Sequence, residues 1–155
     1  MKAAGGEKVA QKAIELAREG FCYSQFLVAL SLAHQRKTNR DLIRAMEGLK
    51  GGLGFSDKIC GSLTGAVCLL GLYAWRGSFS EKPDPRLDLM VLELIERFEE
   101  KIGEKYGGID CDQITEECLG RDLYLICAGI TMETYLKTAS ILRARGFDLQ
   151  RGRGD

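Results

Sequence analysis

The stretch that decides the fold runs from residue 60 to residue 75 and reads CGSLTGAVCLLGLYAW. It is strongly apolar and contains no proline, which predicts a helix from about Ser56 or Cys60 to Trp75. Other long stretches of the chain also show helical periodicity, and no pair of segments has the alternation typical of paired strands. The sequence therefore predicts an all-α fold, a single-domain bundle of about five to seven helices.

Three helices are predicted before this stretch. Apolar residues at helical spacing place the first at Glu7–Glu19 and the second from Phe21 to about Gln35. Asn39 is a suitable N-cap for a third helix that reaches Met46. Four glycines then predict a flexible turn ahead of the apolar stretch: Gly48, Gly51, Gly52 and Gly54.

Three more helices are predicted after it. Pro85 suits the first turn of a long amphipathic helix that ends near Tyr106 and lies on the outside of the bundle. A short helix follows from Asp110, and the last lies within Leu123 to Arg145. The long helix that begins at Pro85 has an acidic face that is expected to be solvated. Its opposite face is an apolar stripe: Leu87, Val91, Leu94, Ile95, Phe98 and Ile102. We expect one domain over residues 1–155, with residues 1–6 and 148–155 flexible.

Composition excludes several classes of function. The 155-residue chain has 22 basic and 22 acidic residues, so it lacks the basic excess of a nucleic-acid-binding protein. No run approaches the roughly 18 apolar residues of a membrane span, so we expect no membrane insertion. Residues 1–6 lack the apolar core of a signal peptide, which predicts a cytoplasmic protein. Six cysteines in a reducing compartment favour catalytic, redox-sensing or metal-binding use.

Two cysteines, Cys22 and Cys60, are the predicted catalytic thiols. Both lie at predicted helix starts, where unpaired N–H groups and the helix dipole stabilise a thiolate. We expect them to lie close together. Gly61 and Gly65 are four residues apart and share a face, where they permit another backbone or a cofactor to approach closely. A carboxylate at Asp57 opposes this effect at Cys60.

The remaining cysteines have weaker signals. Cys111 follows the predicted cap Asp110, and its two flanking carboxylates hinder a nucleophile more than a metal thiolate. Cys68 lies in an apolar run and is expected to be a core residue. The chain has no Cys-x-x-Cys pair, so zinc ribbons, thioredoxin-type dithiols and linear ferredoxin runs have no support.

At residues 60–65, CGSLTG, the chain resembles the C_GCAxxG_C_C family, whose members are described as redox-active proteins. The family's early cysteine resembles Cys22, its glycine-rich lead-in resembles residues 51–54, and its motif Cys-Gly-Ala-x-x-Gly falls on Cys60 to Gly65. Ser62 replaces the motif's alanine and adds a hydroxyl near the thiol. The third cysteine resembles Cys111, and the fourth resembles Cys127, with Cys118 as the alternative.

The resemblance implies redox activity or cluster binding, and three hypotheses remain. The first is a thiol/disulfide pair acting with an unknown redox partner protein. The second is an iron–sulfur cluster or another thiophilic metal, held by Cys22, Cys60, Cys111 and Cys127, with Cys118 as the alternative fourth ligand. The third is a helical interaction domain in which the cysteines only pack. A homo-oligomer is compatible with each of them.

Overall fold

The computed structural model of the chain describes residues 2–153, and its architecture confirms the all-α prediction. Within this range no strand forms, and an isolated antiparallel bridge joins Ile59 to Asp110. Seven α-helices make up the bundle: α1 (Lys2–Arg18), α2 (Tyr23–His34), α3 (Arg40–Met46), α4 (Gly61–Ala74), α5 (Leu87–Phe98), α6 (Cys111–Glu117) and α7 (Leu123–Ala144). Helix α5 continues through a π-helical turn (Glu99–Gly103) and a last turn (Glu104–Tyr106).

Helix α4, the apolar stretch of the sequence, lies at the centre of the bundle. It contacts α2, α5 and α7, and residues from both sides of it are buried, including Leu63, Leu70 and Tyr73. The Tyr73 hydroxyl accepts a hydrogen bond from Ser31 (3.0 Å) and donates one to the Leu149 carbonyl (2.9 Å). The single polar group of this core aromatic is thus satisfied, as burial requires.

The amphipathic helix α5 packs an apolar stripe against α4. Val91 and Ile95 of the predicted stripe are only partly buried, and Met90, which the prediction did not include, is fully buried. Its buried residues are Leu87, Met90, Leu94, Phe98 and Ile102. The opposite face is not wholly solvated, which corrects the expectation. Glu93 is half-buried, accepts a hydrogen bond from Arg145 (2.8 Å) and forms an ion pair with Lys137 (3.7 Å). The sequence period cannot foresee this pairing, because both cations lie on or beside α7.

The glycine-rich segment before α4 forms a turn, as the sequence predicted, and the turn has an unusual backbone conformation. Five consecutive residues, 51–55, have left-handed backbone conformations, and two of them, Leu53 (φ 65°) and Phe55 (φ 61°), are not glycine. Hydrogen bonds close the turn, from the Phe55 N–H to the Lys50 carbonyl and from the Lys58 N–H to the Gly52 carbonyl. A Cβ on Gly52 would lie 2.5 Å from backbone atoms of Lys58, so this position needs glycine. The turn delivers the chain to Cys60 in a fixed direction.

Both ends of the chain, over the described residues, contact or continue the helical bundle. Helix α1 begins at Lys2, five residues before the predicted Glu7. At the other end Arg153 donates hydrogen bonds to the carbonyls of Ala74 and Lys82. Met1, Gly154 and Asp155 lie outside the described residues, and the flexibility of residues 1–6 and 148–155 stays a prediction. No helix within residues 2–153 has the length and apolar character needed to cross a membrane.

Candidate functional site

Four of the six cysteines line one cavity of about 520 Å³. The turn before α2 contributes Cys22, the start of α4 contributes Cys60, the start of α6 contributes Cys111, and the second turn of α7 contributes Cys127. All six cysteines are free thiols. The fold therefore brings to the wall of one cavity four thiols that are far apart in the sequence.

The other two cysteines lie elsewhere. Cys118 is fully buried at the end of α6 and belongs to the main hydrophobic core. Cys68 is only partly buried, and it packs against a smaller cluster formed by Val28, Leu32 and Met46. Cys118 is thus a packing residue, and Cys68 lies at the edge of the smaller cluster beside a separate cavity. Of the two alternatives for the fourth cysteine, it is Cys127 that lies on the wall of the cysteine cavity.

A pair of backbone hydrogen bonds ties Cys60 to Cys111. The Cys60 N–H donates to the Ile109 carbonyl (2.9 Å), and the Cys111 N–H donates to the Lys58 carbonyl (2.7 Å). These bonds flank the Ile59–Asp110 bridge, which makes the two cysteines diagonal neighbours on the same side of it. The backbone entries to α4 and α6 are therefore fixed to each other at Cys60 and Cys111.

Cys60 is the N-cap residue of α4, as one of the two alternatives for this helix start predicted. The expected net stabilisation of its thiolate is wrong, however, because burial raises the pKa of Cys60. The N–H groups of Ser62 and Leu63 oppose that rise. The thiol makes no cap hydrogen bond, so these donors act on the charged form. Sequence alone cannot give this sign, since it does not show how deeply a helix start is buried.

Cys22 is the N-cap of α2 and forms a capping box with Gln25, whose side-chain oxygen accepts a hydrogen bond from the Cys22 N–H (3.0 Å). Its sulfur lies 2.9 Å from the Ser24 hydroxyl oxygen and 3.7 Å from the Met46 carbonyl. The Ser24 hydroxyl itself donates to that carbonyl (2.9 Å). The thiol of Cys22 therefore donates a hydrogen bond to the Ser24 hydroxyl or to the Met46 carbonyl, both of which are close to it.

Cys111 and Cys127 are also shifted towards the protonated form. Burial raises the pKa of Cys111, and the nearby charges of Cys60, Asp57 and Asp112 add to the rise. Asp57 thus acts on Cys111 rather than on Cys60, where the sequence placed its effect. Burial, followed by the charges of Cys60 and Cys111, raises the pKa of Cys127 to about 12.

A buried hydroxyl pair joins the first turn of α4 to α7. The oxygens of Ser62 and Thr131 lie 2.7 Å apart, and Thr131 donates to the Cys127 carbonyl at 2.7 Å. Ser62 is 3% exposed and Thr131 is fully buried. The Ser62 hydroxyl was foreseen near the thiol, but nothing in the sequence pointed to Thr131, because its partner is distant along the chain.

The two motif glycines lie where neighbouring backbone comes closest. A Cβ on Gly65 would meet Ser24 at 2.8 Å, and a Cβ on Gly61 would lie 3.0 Å from the Leu49 carbonyl oxygen. Close backbone approach, one of the two predicted uses of these glycines, is thus present at both. Gly61 also lines the cavity, and the use of the pair in cofactor binding stays a prediction.

Aromatic and basic side chains form the rim of the cavity. Phe21, Phe55 and Tyr124 are each partly exposed there, and Arg18 and Lys50 lie over the rings of Tyr124 and Phe55. The hydroxyl of Tyr23 donates to the Tyr124 carbonyl (2.6 Å). Burial and the neighbouring Cys127 raise the pKa of Tyr23, so this hydroxyl stays protonated.

The donor chemistry of the cavity suits a thiophilic metal, since four cysteine sulfurs face one space. Over residues 2–153, however, no three histidine, cysteine, aspartate or glutamate side chains are grouped closely enough to hold a metal ion. A metal or cluster held by Cys22, Cys60, Cys111 and Cys127 would thus require the thiols to move towards a common centre.

Comparison with known proteins finds one family. The profile of a family described as "Putative redox-active protein (C_GCAxxG_C_C)" matches residues 21–141. The matched span includes all six cysteines, and therefore also the four that line the cavity. No curated protein and no solved structure matches the chain.

Proposed function

The chain belongs to the C_GCAxxG_C_C family of redox-active proteins, and from that premise we propose that its cavity cysteines carry out thiol–disulfide exchange. Cys60 is the attacking thiol, and a second cavity cysteine completes the pair. The observation that carries the proposal is that Cys22, Cys60, Cys111 and Cys127 line one cavity while Cys68 and Cys118 do not. A chain that used its cysteines only for packing would have no reason to gather four of them at a solvent-accessible space.

The reaction is a two-electron exchange with a disulfide substrate. The Cys60 thiolate attacks one sulfur of the substrate, the substrate's S–S bond breaks, and the released thiolate takes up a proton. A second cavity thiol loses its proton and attacks the Cys60 sulfur of the mixed disulfide. The protein is left with an internal disulfide, and the substrate leaves as two thiols, having gained two electrons and two protons.

The surroundings of Cys60 favour this role over the other cavity thiols. Of the four cavity cysteines, Cys60 alone meets two conditions. It lies at the start of a long helix, and its neutral thiol makes no hydrogen bond there. The N–H groups of Ser62 and Leu63 stabilise the charge as it forms. Cys22, the partner chosen from the sequence, lines the same cavity but is engaged with Ser24.

The partner is a protein or small molecule that carries a disulfide. The aromatic rim formed by Phe21, Phe55 and Tyr124 is an apolar surface around the thiols to which this partner can bind. The proposal also places the protein in the cytoplasm, where the reducing poise returns the internal disulfide to thiols.

The test is oxidation of the reduced protein by hydroxyethyl disulfide, followed by peptide mass mapping of free and paired cysteines. We expect loss of two thiols per chain, both from the cavity, while Cys68 and Cys118 remain free. Cys60→Ser should stop the reaction, whereas the matched packing variant Cys68→Ser should react like the wild type. Equal loss of thiols from cavity and packing cysteines would exclude the proposal.

A second candidate function is thiolate binding of an iron–sulfur cluster or another thiophilic metal. The observation in its favour is the same set of four thiols. Their thiolates would repel one another, and a bound cation would remove that repulsion. Purification without air, followed by metal analysis and visible absorption, separates the two functions. Stoichiometric metal that is lost in Cys60→Ser but kept in Cys68→Ser would favour cluster binding over exchange.

A further inference from the structure

We infer that Cys127 is the second thiol of the exchange reaction and that Ser62 and Thr131 are the positioning residues that hold it opposite Cys60. The inference rests on the function proposed above and names the pair within that site. It also gives a role to a buried hydroxyl pair that the reaction does not otherwise use.

The hydroxyl pair has a fixed direction of hydrogen bonding. The Cys127 carbonyl can only accept, so Thr131 must donate its single proton to it at 2.7 Å. The 2.7 Å contact between the two hydroxyls is then a donation from Ser62 to Thr131. Both groups are buried, so loss of either hydroxyl leaves the other without that hydrogen-bond partner.

This short chain of bonds spans the gap between the two thiols. Ser62 lies two residues after Cys60 at the start of α4, and Thr131 lies one helical turn after Cys127 on the same face of α7. The face of α7 that carries Cys127 is therefore held against the first turn of α4. The charge of Cys60 is also the largest of the neighbouring charges that act on Cys127.

The other two cavity thiols are less well placed to pair with Cys60. Cys111 is its diagonal neighbour across the Ile59–Asp110 bridge, and diagonal positions are about 7–8 Å apart, at the upper limit for a disulfide. The Cys22 thiol is held by a hydrogen bond to Ser24 or to the Met46 carbonyl. Neither restraint applies to the sulfur of Cys127, which faces the cavity.

The step is an intramolecular exchange. After hydroxyethyl disulfide has formed a mixed disulfide with Cys60, the Cys127 thiol gives up its proton and its sulfur attacks the Cys60 sulfur. The bond between Cys60 and the probe breaks, a Cys60–Cys127 disulfide forms, and mercaptoethanol leaves with the proton. No further oxidant is needed.

The experiment times the appearance of each disulfide-linked peptide in the full-length protein after addition of hydroxyethyl disulfide. In the wild type we expect the Cys60–Cys127 peptide to dominate. Thr131→Val keeps the side-chain shape but removes the hydroxyl, and Ser62→Ala removes its partner. In each variant we expect this peptide to form roughly tenfold more slowly, with the Cys60–Cys111 peptide increasing in share.

Two further variants separate positioning from general stability. Thr131→Ser keeps the hydroxyl and should retain wild-type pairing. Thr138→Val removes an equally buried hydroxyl that donates to the Thr134 carbonyl at 2.7 Å, away from the cavity, and should also pair normally. Melting temperatures recorded for all four variants show which of them are folded.

The results distinguish the two levels of the proposal. If the wild type forms an internal disulfide between another pair, or if folded Thr131→Val and Ser62→Ala form Cys60–Cys127 at the wild-type rate, the inference is wrong and the exchange function stands. If the wild type forms no internal disulfide, both are wrong.

Discussion

Gly65 of α4 and Ser24 of α2 are in backbone contact, and a Cβ on Gly65 would lie 2.8 Å from the Ser24 Cα and 2.9 Å from its Cβ. Real Cβ atoms do not approach other atoms so closely, so glycine is required there. Ser24 is also the residue that holds the Cys22 thiol, and Gly65 follows the Cys60 cap in the same helix. This contact therefore sets the separation between the two sides of the cavity.

Gly65→Ala is expected to destabilise the protein by roughly 1–3 kcal/mol, because α2 and α4 must move apart to admit the methyl group. The displacement should also open the cavity and speed the alkylation of Cys22 and Cys60 in the native state. Urea unfolding measures the first effect, and timed labelling with peptide mass analysis measures the second.

Gly129→Ala is the matched control for that substitution. Gly129 lies within α7, and a Cβ there would meet nothing within 4 Å. Alanine should therefore stabilise the protein by roughly 0.5–1 kcal/mol, the usual gain in a helix interior. If both variants change stability in the same direction and by a similar amount, close packing at Gly65 is not the cause.

Leu94→Ala should destabilise the protein by roughly 2–5 kcal/mol, since it removes most of a buried side chain and leaves a cavity. Leu94 is 1% exposed in the main core, as the period of α5 predicted. Leu92→Ala on the same helix is the control, because Leu92 is 56% exposed and should change stability little. Similar free energies of unfolding for the two variants would contradict the assigned buried face of α5.

The helices could be predicted because their signals are local. Apolar period, the Asn39 cap and the Asp110 cap each depend on residues within a few positions of one another, and the structure keeps all three. The same holds for Cys22, Cys60 and Cys111, which do lie at helix starts. What a cap or a period cannot give is the depth at which the helix start is buried.

Two features of the site depend on that depth and on contacts far apart in sequence. The pKa of Cys60 is raised rather than lowered, because burial outweighs the helix-start donors. The left-handed turn at residues 51–55 includes Leu53 and Phe55, which cost roughly 1–2 kcal/mol each in this conformation. Only the surrounding tertiary contacts can compensate for such a cost, so a local sequence pattern cannot predict the left-handed conformation of these two residues.

Alkylation of the native protein is expected to be slow at neutral pH and to rise steeply with pH for three of the cavity cysteines. Cys60, Cys111 and Cys127 each have a pKa raised by burial, so few thiolates exist at neutral pH. Cys127, with a pKa of about 12, should label after Cys111. The unfolded protein is the control, and there all six cysteines should label alike at the pH of an ordinary thiol. The same pattern in the native protein would contradict the raised pKa values.

Loss of stability in alkaline solution is expected to depend on Cys127. Its pKa is raised from 9.0 to about 12 in the folded chain. Below the ordinary thiol value the group is protonated in both states, and the neutral form contributes fully to stability. As pH rises through the interval between the two values, the unfolded chain releases the proton while the folded chain retains it, so the free energy of unfolding falls by at most about 1.4 kcal/mol per pH unit.

Cys127→Ser cannot titrate in this range and should show a shallower decline in urea unfolding at a series of alkaline pH values. Because Tyr23 also has a raised pKa, the comparison is the difference between the two proteins rather than either curve alone. Parallel curves for the wild type and Cys127→Ser would show that Cys127 ionises equally in both states.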